Sequence, residues 1–595
     1  MKYNILISIL DKLRSEAPDN LKKKYALQEE DEDKINAARS RAFIHLFLKV
    51  SFGLIRFEDR EWYITDGSYD GGIDGYYIDH DLKIIYLIQS KFRTTERNFE
   101  SKNIELEEIL VMDIDNILTD GAETDEKGNL YNGKIKQLQR EVKEISDIAR
   151  YAYKVIILAN LNNVTVSQLR RLTCGISPLV FDYKKTYSDL VFPVISGTYF
   201  TASDICIPID LSNKSAGSKI SYTVKTKASD CEITVLFVPT LEIAKVMSKY
   251  KNSILKYNPR SYLEFEGQAV NSAIRKTICD NETNEFALYN NGITILSDET
   301  YINERIGQKN KAQLSIKNPQ IINGGQTSYI LSRIYEETKE DLVGKVFHEK
   351  EVLLKIITLI DNDSVDNKLK LIDEISNATN KQTPVINADK FANETFHQKL
   401  QERVFQRFGL LYERKRGEFA DGLNNNYVTS EQLIERNLFL RIYYSANGMI
   451  EVGAQKKLFQ KNDTSKIKLD DDSLDNFYYG FIAFNCLVVQ TSRNKRLVHL
   501  NKYDKLLSLK VYLYVYLFKG KSENIAGNIL YLEREWGKFL EVTKVNNNNK
   551  FNYTYKDRLT GEMVSIFKFE KYIKSSKFER DARLYFEQLI TSSSQ

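Results

Sequence analysis

The residues best suited to chemistry lie between Asp66 and Phe92, in the stretch DGSYDGGIDGYYIDHDLKIIYLIQSKF. Asp74 heads one strand pattern, Gly75 to Asp79, and Lys83 to Gln89 reads as its return strand, with Lys91 just beyond. His80 and Asp81 can turn the chain between them. Antiparallel pairing would bring Asp74, Gln89 and Lys91 to one end of a sheet. Gln89 and Lys91, two positions apart, share a face. A carboxylate, an amide oxygen and a lysine placed in this way suit metal-assisted phosphodiester cleavage. The oxygens of Asp74 and Gln89 would hold Mg²⁺ or Mn²⁺. Lys91 would orient or deprotonate the attacking water and offset charge on the phosphate. The competing reading is a surface hairpin with incidental charges. Against it, KIIYLIQ is β-branched and aromatic almost throughout, as a strand buried on both faces should be, and a lysine closing so apolar a strand calls for a reason.

Several elements must position these groups. From Glu32 onward Ile35, Ala38, Ala42, Leu46 and Val50 repeat at helical spacing, and Gly53 supplies a stop. Glu61 to Asp66 reads as a first strand before the glycine turn. Asp66 and Asp70 flank that turn, where Asx-turn formation is favoured over contact with a metal. Two charge-rich helical segments follow, about Asn103 to Asp120 and Lys134 to Tyr153, and then a buried-strand pattern from Lys154 to Asn160. GIDG followed by QSK resembles the restriction-endonuclease-like PD-(D/E)XK nucleases, in the variant where glutamine replaces the acid before X-Lys. The resemblance implies an αβββαβ core. It also implies a further acid brought to the metal from the first helix, for which Glu32 is the matching residue; a solvated acidic run at a helix start is the alternative.

Beyond this region, Phe192 to Val238 alternates in strand fashion and Thr240 to Tyr250 reads as a helix. Phe286 to Leu296, FALYNNGITIL, has the Asn-Gly signal of a two-residue hairpin. PQIINGGQT then runs strand, glycine turn, helix. Gly324 and Gly325 would expose backbone N–H groups to a phosphate or carboxylate, with Asn323, Gln326 and Thr327 adding side-chain partners. Arg414, Lys415 and Arg416 supply a basic loop in YERKRG. NNGITIL, PQIINGGQT, ATNKQTPV and YERKRG, in this order, resemble the AIPR family, the abortive-infection phage-resistance proteins, over about Asn258 to Gly417. Members of that family commonly carry a nuclease-like domain in front, which the first landmark matches.

A chain of 595 residues is too long for one core. The expected class is a multidomain α+β or α/β protein. It would have a nuclease domain over 1–190, a central mixed α/β region over 191–428 and a mainly helical region over 429–595. A net charge of +4 permits nucleic-acid binding without arguing for it, so any basic footprint must be local. Five scattered cysteines, with no C-x-x-C, disfavour a zinc site and a disulfide framework and fit the cytoplasm. The apolar run in MKYNILISILDKLRSE is too short for a membrane span, so no membrane is expected. The leading function is anti-phage defence by a Mg²⁺- or Mn²⁺-dependent endonuclease acting on DNA. RNA stays open, because the same metal geometry cuts either backbone. The central block would recognise a phage-derived trigger or a nucleotide, and a homodimer is allowed. The second hypothesis is a non-catalytic nucleic-acid or nucleotide sensor, motivated by Gln89, whose amide brings no negative charge to a metal.

Overall fold

Two helices open the chain. Helix α1 (Lys2–Ser15) packs against α2 (Glu32–Phe52). Asp31 starts α2 by accepting the Asp33 N–H at 3.0 Å, and Gly53 ends it in the left-handed conformation at φ +66°. Ala38, Ala42, Leu46 and Val50 are buried, as their spacing requires, but so is every residue from Arg41 to Leu48, so this part of the helix is buried all round. The computed structural model describes residues 1–27, 31–80, 82–102, 104, 112–119, 121–125, 127–161, 164–176, 178–199, 204–210, 219–226, 230–258, 269–280, 283–304, 311–360, 374–375, 395–456, 458, 466–493, 504–520, 524–546, 550–556 and 558–593. The fold is mixed α+β. It divides into two units, Met1–Asn393 with Lys415–Gln432, and Glu394–Arg414 with Leu433–Gln595.

After α2 come α3 (Phe57–Trp62), β1 (Gly75–Asp79), β2 (Ile84–Ser90), α4 (Glu96–Glu100), α5 (Gly133–Glu144), β3 (Ala152–Leu158), α6 (Val166–Leu172) and β4 (Pro178–Val180). The strands form one sheet in the order β1-β2-β3-β4, with β1 antiparallel to β2 and the remaining neighbours parallel. The expected first strand, Glu61 to Asp66, does not form: Glu61 and Trp62 end a helix and the rest is turn and irregular backbone. Phe57 and Arg60, three apart, turn inward as α3, where Phe57 stacks on His45 at 4.7 Å. Only Ile64 remains extended enough to bridge Gly75. Strand β2 is buried on one face at Ile85, Leu87 and Gln89, and on the other only at Ile88, with Ile84, Tyr86 and Ser90 half-buried, so its two-sided burial is less complete than its composition predicts. Tyr76, Ile78, Ile85 and Leu87 share a core with Ile135, Leu138 and Val142 of α5. On the opposite face Gly75 admits α2 so closely that a Cβ there would lie 3.2 Å from Ile44 Cγ2. Of the expected helix over 103–120, the described part is a single wide turn, Asp115–Thr119.

Two short helices, α7 (Tyr183–Thr186) and α8 (Phe192–Ser196), lead to β5 (Asp204–Asp210), β6 (Lys219–Lys225), β7 (Asp230–Pro239) and α9 (Thr240–Tyr250). Thus Phe192–Ser196, expected to alternate as strand, is helical. The chain continues through α10 (Ala269–Cys279), α11 (Phe286–Tyr289), β8 (Ile293–Ser297), β9 (Glu299–Asn303), β10 (Lys311–Lys317), β11 (Gln320–Asn323), α12 (Gly325–Glu337), α13 (Glu340–Val346) and β12 (Glu351–Leu359). Five strands pair as β11-β8-β12-β7-β6 and three as β5-β10-β9. Ile207, Leu236, Ile243, Ile295, Leu331 and Leu354 join both sheets to α9 and α12 in one core.

The Asn-Gly hairpin does not form. Strand β8 has β11 on one edge and β12 on the other, so the preceding segment has no edge to pair with and coils into α11. Asn290 Oδ1 accepts the Gly292 N–H at 2.9 Å, and Asn290 Nδ2 donates to Thr327 Oγ1 at 2.9 Å. Gly324, at φ +80°, is packed against the same turn: a Cβ would lie 2.9 Å from both Gly292 O and Ile293 Cα. Gly324→Ala should therefore destabilise this region by about 3 kcal/mol, combining left-handed strain with a backbone clash. The urea midpoint reads this, and an unchanged midpoint would mean that the turn adapts freely.

In the second unit, helices Thr395–Phe408, Arg436–Ala446, Asp471–Arg493, Asp504–Phe518, Ile525–Asn546 and Ser576–Ser593 dominate; beyond Thr429 this is the mainly helical region expected, whereas Thr395–Phe408 falls in the stretch expected to be mixed α/β. A parallel strand pair (Leu411–Glu413 with Leu433–Glu435) and a hairpin (Asn552–Lys556 with Met563–Phe567) complete it. Trp536, Leu513, Ile529, Phe539 and Phe578 are central to its core. Among the described residues no helix is long and apolar enough to cross a membrane.

Candidate metal centre

Three carboxylates meet beside the β1–β2 hairpin. One oxygen each of Asp66, Asp70 and Asp74 lies within 4.8 Å of the others. The register explains the position of Asp74. Gly75 pairs with Ile88, the Asp74 N–H donates to Ile88 O at 2.8 Å, and Asp74 Oδ2 accepts the Ser90 N–H at 2.7 Å. This register sets Gln89 across from Asp74. Alternation from Tyr76 and Ile78, and from Ile85 and Leu87, puts Asp74 and Gln89 on the sheet face that carries α5, with Lys91 one residue past the end of β2. Gln89 is buried, 3 % exposed, whereas Lys91 is exposed and anchored by its N–H to Leu158 O at 3.0 Å.

Asp70 serves two roles at once. Its Oδ2 accepts the Gly67 N–H at 3.1 Å and its Oδ1 accepts the Gly72 N–H at 2.9 Å, which is the turn-forming use expected of it. The same bonds aim it into the cluster, so turn formation and membership of the cluster do not compete. Gly71, at φ +63°, lets the loop close, because a Cβ there would lie 2.6 Å from Ile117 Cδ1. Burial pushes the Asp74 carboxyl up to about 7. The Ser90 N–H opposes that rise, the Asp70 and Asp66 charges add to it, and Lys91 works against it. Burial raises Asp70 as well. Crowded, raised carboxyls favour a positive counter-charge, and carboxylates with an amide oxygen alongside are hard donors of the type that Mg²⁺ and Mn²⁺ take. The donor set fits such an ion.

Helix α2 does contribute to the cluster, through a residue other than the expected acid. Glu32 lies in its exposed first turn, with its side chain 72 % exposed and paired to Arg39 Nη1 at 3.3 Å, and it is not one of the clustered carboxylates. Arg41, 4 % exposed, reaches the loop instead. Its Nη1 donates to Asp66 O at 2.9 Å and Asp66 Oδ2 at 3.2 Å, its Nη2 to Glu61 Oε1 at 3.0 Å, and its Nε to the Tyr25 hydroxyl at 3.0 Å. His45 completes this buried network. Arg60 Nε donates to His45 Nδ1 at 3.2 Å, which assigns the ring proton to Nε2, facing Glu61 Oε2 at 3.2 Å. Burial pulls His45 down to about 4, so the ring is neutral at pH 7. Burial works against ionisation of Glu61, yet bonds from His45, Tyr25 and Arg41 hold its carboxyl well below the usual range. An arginine and a histidine at helical spacing from the apolar face were the available signals in the sequence.

The central block has a different character. Asn323 Oδ1 accepts the Gly324 N–H at 2.7 Å, Gln326 Nε2 donates to Asn271 Oδ1 at 2.8 Å, and Thr327 receives Asn290. Gly325 and Thr327 are buried in the first turn of α12. These residues weld β8, β11 and α12 together. Lys415, expected to touch a ligand, is 6 % exposed, and its ammonium donates to Leu255 O, Lys256 O and Asn258 O at 2.8–3.0 Å. This corrects its assignment: all three protons hold backbone carbonyls, which makes Lys415 a structural clamp. Arg416 is exposed and Arg414 is part-buried. ATNKQTPV lies outside the described residues.

Comparison with known proteins matches residues 255–552 to the family described as AIPR protein, half of the chain. No curated protein and no solved structure matches. The matched stretch contains the interlocked NNG and NGGQT turns and the Lys415 clamp, and extends past Gly417 into the helical second unit. The acidic cluster precedes it. By this match the protein belongs to the AIPR family, whose name refers to anti-phage defence by abortive infection.

Proposed function

We propose that the chain defends against phage as a metal-dependent endonuclease that hydrolyses DNA phosphodiester bonds, with the family-matched region as its recognition or regulatory block. The observation that carries this reading is the convergence of Asp66, Asp70 and Asp74 to within 4.8 Å. Asp74, Asp70 and Asp66, with the Gln89 amide, would hold Mg²⁺ or Mn²⁺. When bound, such an ion polarises the phosphate and acidifies a water. The Ser90 N–H and the backbone of Gly67 and Gly72 keep the carboxylates aimed, so little reorganisation accompanies reaction. Lys91, exposed at the end of β2, meets the phosphate from the solvent side and orients the attacking water.

The experiment is plasmid cleavage by the full chain with Mg²⁺ or Mn²⁺, with Lys91→Ala run in parallel. Wild type should convert supercoiled DNA to nicked and linear forms, and the variant should fall at least a hundredfold behind. Equal cutting by both would remove Lys91 and this geometry from the reaction. The sensor reading would prevail if the chain bound DNA but cut neither DNA nor RNA with either metal.

A further inference from the structure

Tyr69 sits between two of the three clustered acids, three residues after Asp66 and one before Asp70, in a loop that already contains Gly67, Gly71 and Gly72. Its backbone is left-handed at φ +60°, and its side chain is among the exposed large hydrophobic groups, at 56 %. Among the described residues eight non-glycine positions have positive φ, and Tyr69 is the only aromatic in that set. A side chain more than half exposed receives limited packing compensation for such a backbone, and glycine would adopt it freely.

The loop is also rigid where the ring leaves it. Asn132 donates its N–H to Tyr69 O at 3.0 Å and its Nδ2 to Thr65 O at 2.9 Å and Ser68 O at 3.4 Å. Its Oδ1 accepts the Lys134 and Ile135 N–H groups at 3.0 Å, so the same side chain caps α5. One residue therefore fixes the loop to a helix that packs under the sheet. The result is a strained, solvent-facing aromatic on a fixed support at the margin of an acidic centre. Strain retained beside a site, without burial to explain it, points to function.

We propose that Tyr69 is a substrate-positioning residue whose ring stacks on an unpaired base next to the scissile phosphate, so that the preferred substrate is single-stranded or locally opened nucleic acid. This rests on the nuclease reading of the same centre. A base inside an intact duplex has its faces covered by its neighbours, whereas an unpaired base offers one to the ring, in a way that tolerates any sequence. Lys91, exposed near the same centre, supplies charge to the adjoining backbone, which stacking alone does not provide.

The test compares the full-length wild type with Tyr69→Phe, Tyr69→Ala and Tyr69→Gly. Binding is measured by fluorescence anisotropy with a labelled single-stranded oligodeoxynucleotide and with its duplex in Ca²⁺, and cleavage of both is measured in Mn²⁺. Tyr69→Phe should bind the single strand like wild type. Tyr69→Ala and Tyr69→Gly should bind it about tenfold more weakly, with duplex affinity nearly unchanged. Tyr69→Gly should also melt at a temperature no lower than wild type, which separates lost stacking from lost folding. Wild-type cutting with single-strand affinity unchanged in both Tyr69→Ala and Tyr69→Gly overturns the stacking role and leaves the nuclease reading intact. A wild-type chain that neither binds nor cuts either oligonucleotide overturns both.

Discussion

Asp74→Asn should make the metal-free protein more stable at pH 8 and, at the same time, slow cleavage by on the order of a thousandfold. The two effects share one cause. The folded state pushes the Asp74 carboxyl up to about 7, from 3.8. Between those values the folded chain keeps a proton that the unfolded chain has released. Stability therefore falls as pH rises through this window, and the full penalty, about 4 kcal/mol, applies above pH 7. Asparagine is neutral throughout and removes the penalty, so the variant should gain most at pH 8 and almost nothing below pH 4. Mn²⁺ should raise the melting temperature of wild type more at pH 8 than at pH 5.5, and should leave Asp74→Asn nearly unmoved. A metal response that survives in the variant would show that the ion binds elsewhere. Undiminished cleavage by the variant would remove Asp74 from the reaction.

Arg41→Met should cost about 3–5 kcal/mol, because it leaves Glu61 buried without its main cation. Glu61 keeps Lys24 at 3.1 Å, but that lysine is 44 % exposed and screened by solvent. The depressed carboxyl of Glu61 contributes stability that is present above its unfolded value near 4.5 and is lost as pH falls. In Arg41→Met that acid-side loss should shrink. The chain has two tryptophans, Trp62 at the end of α3 and Trp536 in the helical unit. A Trp536→Phe background thus lets Trp62 fluorescence follow urea unfolding around this network. The variant should also bind Mn²⁺ more weakly, since Arg41 holds both the carbonyl and the carboxylate of Asp66. A midpoint within experimental error of wild type would mean that the network contributes nothing net.

Much of the hairpin was legible from residue types alone. Helix α2, its stop at Gly53 and both strands of the pair follow from periodicity and turn chemistry. These are local properties, and the chain satisfies them within a few residues. The same holds for α9 and for the mainly helical character of the chain beyond Thr429. Asp70 shows the limit of such reading. A turn former and a cluster carboxylate look alike in sequence, and the residue proved to be both.

The order of residues carries the family and the positions of the chemically suited side chains along the chain. Tertiary structure alone decided what those side chains meet. Asn-Gly before β8 forms no hairpin because both edges of that strand are taken by β11 and β12, far away in the chain. Lys415 is a clamp because three carbonyls near residue 256 would otherwise lack its protons. Helix α2 presents Arg41 rather than Glu32 to the acidic loop because Glu32 lies in the solvated first turn while Arg41, more than two turns further on, faces Glu61 and Asp66. Each outcome depends on neighbours distant in sequence, and burial there outweighs local preference: a buried polar group must find its partner wherever the chain brings one.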